Sequence, residues 1–198
     1  MDCRMHPAWA AVAAFCLMSA PALAAADLTA GQERAEACGA CHGARGVSED
    51  PAVPSLAGQQ DRFLQWQLVF FRSGRRANEI MGAMAADLSD ADIRNLGAYF
   101  ASLPKDRPPP PEADPALRSA GQALAEQNHC AACHTDSFAG KQAAPAIGGQ
   151  HREYLVKALS DYRSSARPST GVAAMTEAAA NLGDDDIQAL ATFLEAYR

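Results

Sequence analysis

Hydrophobic and polar residues alternate along this 198-residue chain with the period of an α-helix. Within 90–101, for example, Ile93, Leu96 and Phe100 recur at spacings of three and four residues, which places them on one helix face. We found no segment with the two-residue period of a β-strand. The pattern therefore predicts an all-α protein, with helices over 28–37, 61–73, 90–101, 115–129, 152–164 and 184–197.

The second half of the chain repeats the first. Pro-Ser-Leu-Ala-Gly-Gln at 54–59 corresponds to Pro-Ala-Ile-Gly-Gly-Gln at 145–150, an offset of 91 residues. The offset stays close to this value along both halves, so the copies differ only by short insertions. Four consecutive prolines between the copies favour an extended connection. We predict a tandem duplication of one domain, with domains at 25–103 and 115–198 and a proline-rich linker at 104–114.

Each copy contains the string Cys-x-x-Cys-His, at 38–42 and at 130–134. This string is typical of a c-type haem attachment site. Two thiols one helical turn apart can add to two vinyl groups on one haem edge, and the next histidine then lies under the iron as its proximal ligand. A bare Cys-x-x-Cys also occurs in zinc sites and redox dithiols, and the alternative of two redox dithiols would leave both adjacent histidines unexplained. Two covalently bound haem c groups are therefore predicted, with thioether bonds and proximal ligands from Cys38, Cys41, His42, Cys130, Cys133 and His134.

The second axial ligand separates an electron carrier from a haem enzyme. Methionine is the first candidate, because a Met/His pair is the cytochrome c arrangement. The first copy offers Met81 and Met84, whereas Met175 is the one methionine of the second copy. Met175 lies seven residues before Leu182, as Met81 lies seven residues before Leu88. We predict that Met81 and Met175 bind iron, and we assign Met84 to packing beside the haem.

Residues near the motifs carry further expectations. The carbonyl of Pro54 or Pro145 could accept a hydrogen bond from the proximal histidine's Nδ1 and fix its ring, although a simple loop-ending role is the alternative. His129 and His151 have no histidine counterpart in the other copy, so we expect them at the surface or beside the ligands rather than on iron. Trp66 also lacks a counterpart and is assigned to the core.

The N-terminal residues are typical of a secretory signal peptide. Arg4 precedes an apolar run over 8–18, and Ala-Leu-Ala at 22–24 predicts cleavage of a signal peptide at 1–24. The run is too short to span a bilayer. The formal net charge is −6 with no basic stripe, which argues against nucleic-acid binding. A periplasmic location is predicted.

The two haem motifs, the Pro-x-Leu/Ile-x-Gly-Gln segments and the stretches that start at Met81 and Met175 resemble the cytochrome c4 family of dihaem cytochromes. The resemblance covers essentially the whole mature sequence. It implies two class I cytochrome c domains, each wrapped around one covalent haem c and related by a pseudo-twofold axis. It also implies that His42 and Met81 bind one iron, and that His134 and Met175 bind the other.

The leading functional hypothesis is an electron-transfer protein with no catalytic residues. It would carry electrons one at a time from a quinol-oxidising complex or dehydrogenase to a terminal oxidase or reductase. The alternative is the electron-accepting cytochrome subunit of a periplasmic dehydrogenase complex, which would use the same site residues. A dihaem redox enzyme would need an open or unusually ligated iron, and the in-register methionines argue against that. Peripheral membrane association through a partner stays open.

Overall fold

A computed structural model describes residues 25–110, 112–169 and 174–197, and the predicted signal peptide lies outside them. Within the described residues the chain forms α-helices and no β-strand, which confirms the all-α prediction. No helix in this part of the chain is long and apolar enough to cross a membrane. The helices are α1 (Leu28–His42), α2 (Asp61–Arg72), α3 (Glu79–Ala85), α4 (Asp90–Ser102), α5 (Pro115–Gln127), α6 (Ala131–His134), α7 (Arg152–Arg163), α8 (Ala174–Ala179) and α9 (Asp184–Ala196).

The two halves pack their helices in the same way. In the first half α1 and α2 both pack against α4, and in the second half α5 and α7 both pack against α9. Glycine permits the closest of these approaches, because a Cβ at Gly31 would clash with the backbone of Asn95, and a Cβ at Gly121 with the backbone of Ala189. The repeated packing confirms a tandem pair of helical domains.

Each half has its own hydrophobic core. The predicted apolar face of α4 is buried through Ile93, Leu96 and Phe100, and the matching face of α9 is buried through Ile187 and Leu190. The helix α4 begins with the capping box of Ser89 and Asp92. At the start of α9, Gly183 has no side chain to accept the Asp186 N–H, so only the other half of the box forms, in which the Gly183 N–H donates to the Asp186 carboxylate at 2.9 Å.

Trp66 is not a core residue, and that prediction is wrong. Its side chain is 46% exposed. The buried side of α2 follows Phe63, Gln67 and Phe70, and Trp66 lies about 100° around the helix from Gln67. The indole ring still packs against Phe70 in a tilted arrangement, with 5.7 Å between ring centroids.

The two haem motifs lie on different local structures. In the first copy α1 continues through the motif to His42, five residues beyond the predicted end. In the second copy α5 ends at Gln127, and the motif forms the separate turn α6. His129 interrupts the helix because its φ is +53°, in the left-handed region. The N–H of Cys130 then bonds to the carbonyl of Ala125 at 3.0 Å and closes the wider turn.

The halves meet through reciprocal hydrogen bonds. The Gln59 amide donates to the Ala146 carbonyl at 3.0 Å and accepts from the Ala146 N–H at 2.7 Å. The corresponding Gln150 amide donates to the Ser55 carbonyl and accepts from the Ser55 N–H, both at 3.0 Å. Ser55 and Ala146 occupy corresponding positions of the repeat. These four bonds therefore relate the domains by an approximate twofold axis.

A second reciprocal pair involves His151. Its Nε2 donates to the Ser48 carbonyl of the first domain at 2.9 Å. The corresponding Gln60 donates through Nε2 to the Ala139 carbonyl of the second domain, also at 2.9 Å. His151 is thus half-buried at the interface, where it takes the place of an amide, whereas His129 is exposed as expected.

Candidate functional site

The histidine of each haem motif is buried and oriented by a backbone carbonyl. Nδ1 of His42 donates to the Pro54 carbonyl, and Nδ1 of His134 donates to the Pro145 carbonyl, both at 2.8 Å. The expected role of the two prolines is confirmed. Burial lowers the pKa of both imidazoles, and the carbonyl bond offsets this only in part. Each ring is therefore neutral and has Nε2 available for a metal.

The four cysteines of the motifs form no disulfide bond among the described residues. In each copy the first one, Cys38 or Cys130, is half-buried and packs against its domain's hydrophobic core, while Cys41 and Cys133 are exposed. Burial raises the pKa of the Cys38 and Cys130 thiols. Two thiols separated by about one helical turn fit the vinyl groups on one edge of a haem.

Met81 and Met175 occupy matching places. Met81 lies in α3, where its N–H is capped by the Asn78 side chain at 2.8 Å, and Met175 lies in α8. Met81 packs against the same core as Cys38, and Met175 packs against the same core as Cys130. Each domain therefore brings thiols, a neutral imidazole and a thioether around one apolar core, which is a donor set suited to haem c.

Met84 was assigned to packing beside the haem, but it does not fill the protein core. It lies one turn after Met81 in α3, and its side chain is 43% exposed. Met81 is the one of the two that turns toward the hydrophobic core of the first domain. The preference drawn from the repeat therefore agrees with the packing.

A polar cluster at the domain interface was missed in the sequence. Arg76 and Arg167 both donate to the Gln67 side-chain oxygen, through Nη1 at 2.6 Å and through Nη2 at 3.0 Å. Arg167 also donates to the Tyr154 hydroxyl at 3.2 Å, and Arg76 bonds to the same hydroxyl. A signal was present, since the two arginines lie 91 residues apart, at corresponding positions of the repeat.

Comparison with known proteins agrees with two cytochrome c domains. Residues 26–100 match the family model described as cytochrome c oxidase, cbb3-type, subunit III. Residues 119–197 match the family model described as cytochrome c. Each match contains one Cys-x-x-Cys-His motif and the methionine seen to pack inward. The helical fold and the set of donor residues in each half are therefore those of a cytochrome c domain.

Whole-chain relatives narrow the family further. Cytochrome c4 of Pseudomonas aeruginosa is 38% identical over 182 residues, which cover 87% of this chain and 89% of the relative. A thiosulfate dehydrogenase electron acceptor of Thiomonas intermedia is 31% identical, with 87% and 84% covered. The crystal structure of reduced recombinant cytochrome c4 from Pseudomonas stutzeri superposes with a TM-score of 0.81 at 34% identity, and it covers 88% of this chain and 100% of that one. With one covalent haem c in each of its two domains, this chain belongs to the cytochrome c4 family.

Proposed function

We propose that this dihaem cytochrome carries electrons, one at a time, between a respiratory donor and a terminal oxidase or reductase. The observation that carries the proposal is the duplication of a complete donor set. In each domain a neutral imidazole is oriented by a proline carbonyl, and an in-register methionine packs against the same core. A site filled in this way exchanges electrons through its edge and has no position for a substrate.

We assign the thioether bonds and axial ligands residue by residue. The assignment is supported by the motif spacing, by the orientation of both histidines and by the inward packing of both methionines. When bound, each haem supplies an iron that alternates between its ferric and ferrous forms. Cys38, Cys41, Cys130 and Cys133 would form the thioether bonds, with His42 and Met81 as axial ligands of one haem and His134 and Met175 as axial ligands of the other.

The protein's own contribution is to hold the ligands. The carbonyls of Pro54 and Pro145 fix the tautomer of each imidazole and direct its Nε2 lone pair to the metal side. Methionine opposite histidine raises the reduction potential.

The two domains are assigned to residues 25–103 and 115–198, since α4 ends at Ser102 and α5 begins at Pro115. The chain would function in the periplasm after removal of 1–24.

Replacement of the assigned methionines tests the carrier proposal. M81A and M175A should each abolish half of the methionine–iron charge-transfer band of the oxidised protein, because each removes the thioether from one iron. Each variant should also bind carbon monoxide at one haem when reduced. The measurement is absorption spectroscopy of holoprotein made in a haem-maturing periplasm.

M84A is the matched control, because Met84 lies on the same helix but points outward. It should leave the band and the carbon monoxide response unchanged. If M84A removes the band and M81A preserves it, the ligand assignment in the first domain is wrong. Carbon monoxide binding by the unmodified protein would instead favour a redox enzyme.

The second candidate function is that of an electron-accepting subunit of a periplasmic dehydrogenase complex. It is favoured by the similarity to the thiosulfate dehydrogenase electron acceptor. The site residues are the same in both cases, so the two differ in how tightly the partner binds. Size-exclusion chromatography of the protein purified from its own cells separates them. A stable complex with a dehydrogenase supports the subunit, whereas a monomer supports the mobile carrier.

A further inference from the structure

The peptide group that orients the first haem-motif histidine is also held by the second domain. The Pro54 carbonyl accepts the Nδ1–H of His42 at 2.8 Å. The N–H of the same peptide group belongs to Ser55, and it donates to the Gln150 side-chain oxygen at 3.0 Å. A trans peptide group is planar, and its C=O and N–H point in opposite directions. His42 and Gln150 therefore hold opposite ends of one rigid unit.

The second copy contains the same arrangement with the domains exchanged. The Pro145 carbonyl accepts the Nδ1–H of His134 at 2.8 Å. The N–H of that peptide group belongs to Ala146, and it donates to the Gln59 side-chain oxygen at 2.7 Å. Gln59 lies in the first domain, so here too the glutamine and the histidine belong to different domains. The contacts are therefore crossed, and each domain supports the haem-motif histidine of the other.

Both glutamine side chains are themselves fixed. The Gln59 oxygen also accepts the N–H of Gln60 at 2.9 Å. The Gln150 oxygen also accepts the N–H of His151 at 3.1 Å. The Nε2 group of each glutamine donates to the carbonyl of the residue whose N–H the oxygen binds, both at 3.0 Å. An amide whose oxygen meets two N–H groups has one orientation, so each glutamine is a rigid support.

The two contacts are shielded from water. Their four residues, Gln59, Gln150, Ser55 and Ala146, are each at most 4% exposed. Hydrogen bonds in such an environment are strong, and bonds in a chain polarise one another. The bond that a glutamine oxygen makes to the peptide N–H therefore strengthens the carbonyl of the same peptide group as an acceptor for the imidazole.

We propose that Gln59 and Gln150 are positioning residues that act across the interface, each on the proximal histidine of the other domain. The proposal rests on the axial ligands given under the proposed function. A stronger acceptor at Nδ1 makes the imidazole a more basic ligand. A more basic ligand favours the ferric form of iron, because that form carries one positive charge more. Each glutamine therefore lowers the reduction potential of the haem in the other domain.

Removal of either amide should raise one potential, and it should be the potential in the other domain. In Q150L the haem held by His42 should gain about threefold in its reduction equilibrium constant, or about 28 mV for one electron. In Q59L the same gain should appear at the haem held by His134. The haem in the substituted domain should keep its potential, because its own proline peptide is still held by the remaining glutamine.

The experiment is a redox titration of the holoprotein followed by proton NMR, in which each axial methionine methyl group gives its own signal. M81A and M175A each lack one of these signals and so assign them to the two domains. Q60L is the matched control. The Gln60 amide also crosses the interface, at 2.9 Å, but it ends at the Ala139 carbonyl and not at a proline peptide. Q60L should leave both potentials unchanged.

Crossed shifts in Q59L and Q150L support the proposal. If each variant shifts the haem of its own domain, shifts both haems equally or shifts neither, the positioning role is wrong. Equal shifts in Q60L would also overturn it, because any loosening of the interface would then have the same effect. If the unmodified protein lacks two methyl signals, the axial ligands are wrong and this proposal is wrong with them. Uncrossed shifts with both signals present contradict the positioning role alone.

A shorter amide keeps the test decisive if the leucine variants do not accumulate. Q59N and Q150N then replace them, since asparagine keeps the amide but withdraws it from the peptide by one methylene group. The potentials should again shift in the crossed pattern, by less than in the leucine variants. Unchanged potentials in both asparagine variants would overturn the proposal.

Discussion

Corresponding residues of the repeat can differ in type and still make the same bond. Gln60 and His151 both donate a side-chain N–H across the interface to a backbone carbonyl at 2.9 Å. An amide nitrogen and an imidazole nitrogen reach a similar distance from the backbone, so either satisfies the buried acceptor. The identity of the residue is therefore less important at this position than the presence of a donor.

This equivalence predicts the outcome of exchanging the residues. H151Q should retain the bond to the Ser48 carbonyl and unfold close to the unmodified protein. H151A should lose about 1 kcal/mol of unfolding free energy, because a partly buried acceptor loses its donor. Guanidinium denaturation followed by haem absorbance measures both. Equal destabilisation by H151Q and H151A would mean that the imidazole contributes through packing and not through this hydrogen bond.

The helices that carry the haem motifs are held by close contacts with the C-terminal helix of each domain. Gly31 in α1 and Gly121 in α5 lie where a Cβ would meet the backbone of α4 or α9. The contact fixes the position of the motif that follows, whether α1 continues into it or α5 ends before it. The motif of the second copy therefore keeps its position despite the break at His129, because the close contact between α5 and α9 is preserved.

Substitution at the contact between α5 and α9 should destabilise the second domain. G121A places a methyl group against the Ala189 carbonyl, so α5 must shift, and we expect a loss of about 1–3 kcal/mol. Thermal unfolding of the holoprotein measures the loss. S119A on the exposed side of α5 is the control and should be neutral or slightly stabilising, because alanine favours the helix. If G121A is also neutral, the contact between α5 and α9 accommodates a side chain and does not fix the position of the haem motif.

At the scale of the whole molecule, the two domains are joined by more than the linker. The amides of Gln59 and Gln150 each make two buried bonds to the backbone of the other domain. The N–H of Tyr154 adds a further bond, to the Pro51 carbonyl at 3.1 Å. Backbone pairing of this kind fixes one relative orientation, and with it the spacing between the two metal centres.

Loss of the amides should uncouple the domains. The double variant Q59A/Q150A leaves buried backbone groups without partners, and each substitution should cost about 1–3 kcal/mol. We expect the unmodified protein to unfold in one calorimetric transition and the double variant to unfold in two. Q122A removes an exposed amide that donates to Glu126 of the same helix, and it should keep one transition. One unshifted transition in the double variant would show that the linker and apolar contacts suffice to couple the domains.

Much of this arrangement could be predicted from the sequence, because it depends on patterns local to each copy. The helical period identified the apolar faces of Ile93 and Ile187, and the repeat selected Met81 over Met84. The exposure of Trp66 could not be predicted, since it depends on which side of α2 faces the other domain. The Arg76 and Arg167 cluster was missed although the two arginines correspond in the repeat, because that correspondence does not show that they meet across the interface.

The reciprocal amide pairing has an evolutionary consequence. An interface of this symmetry is what a homodimer would use, and in a homodimer every substitution appears on both sides at once. Within a single chain each domain's side of the interface can change alone. The repeat already illustrates this, since Phe63 corresponds to Tyr154 and Gln67 corresponds to Ala158. Fusion of the two copies therefore frees the haems to diverge in potential, and such a difference gives electrons a preferred direction through the molecule.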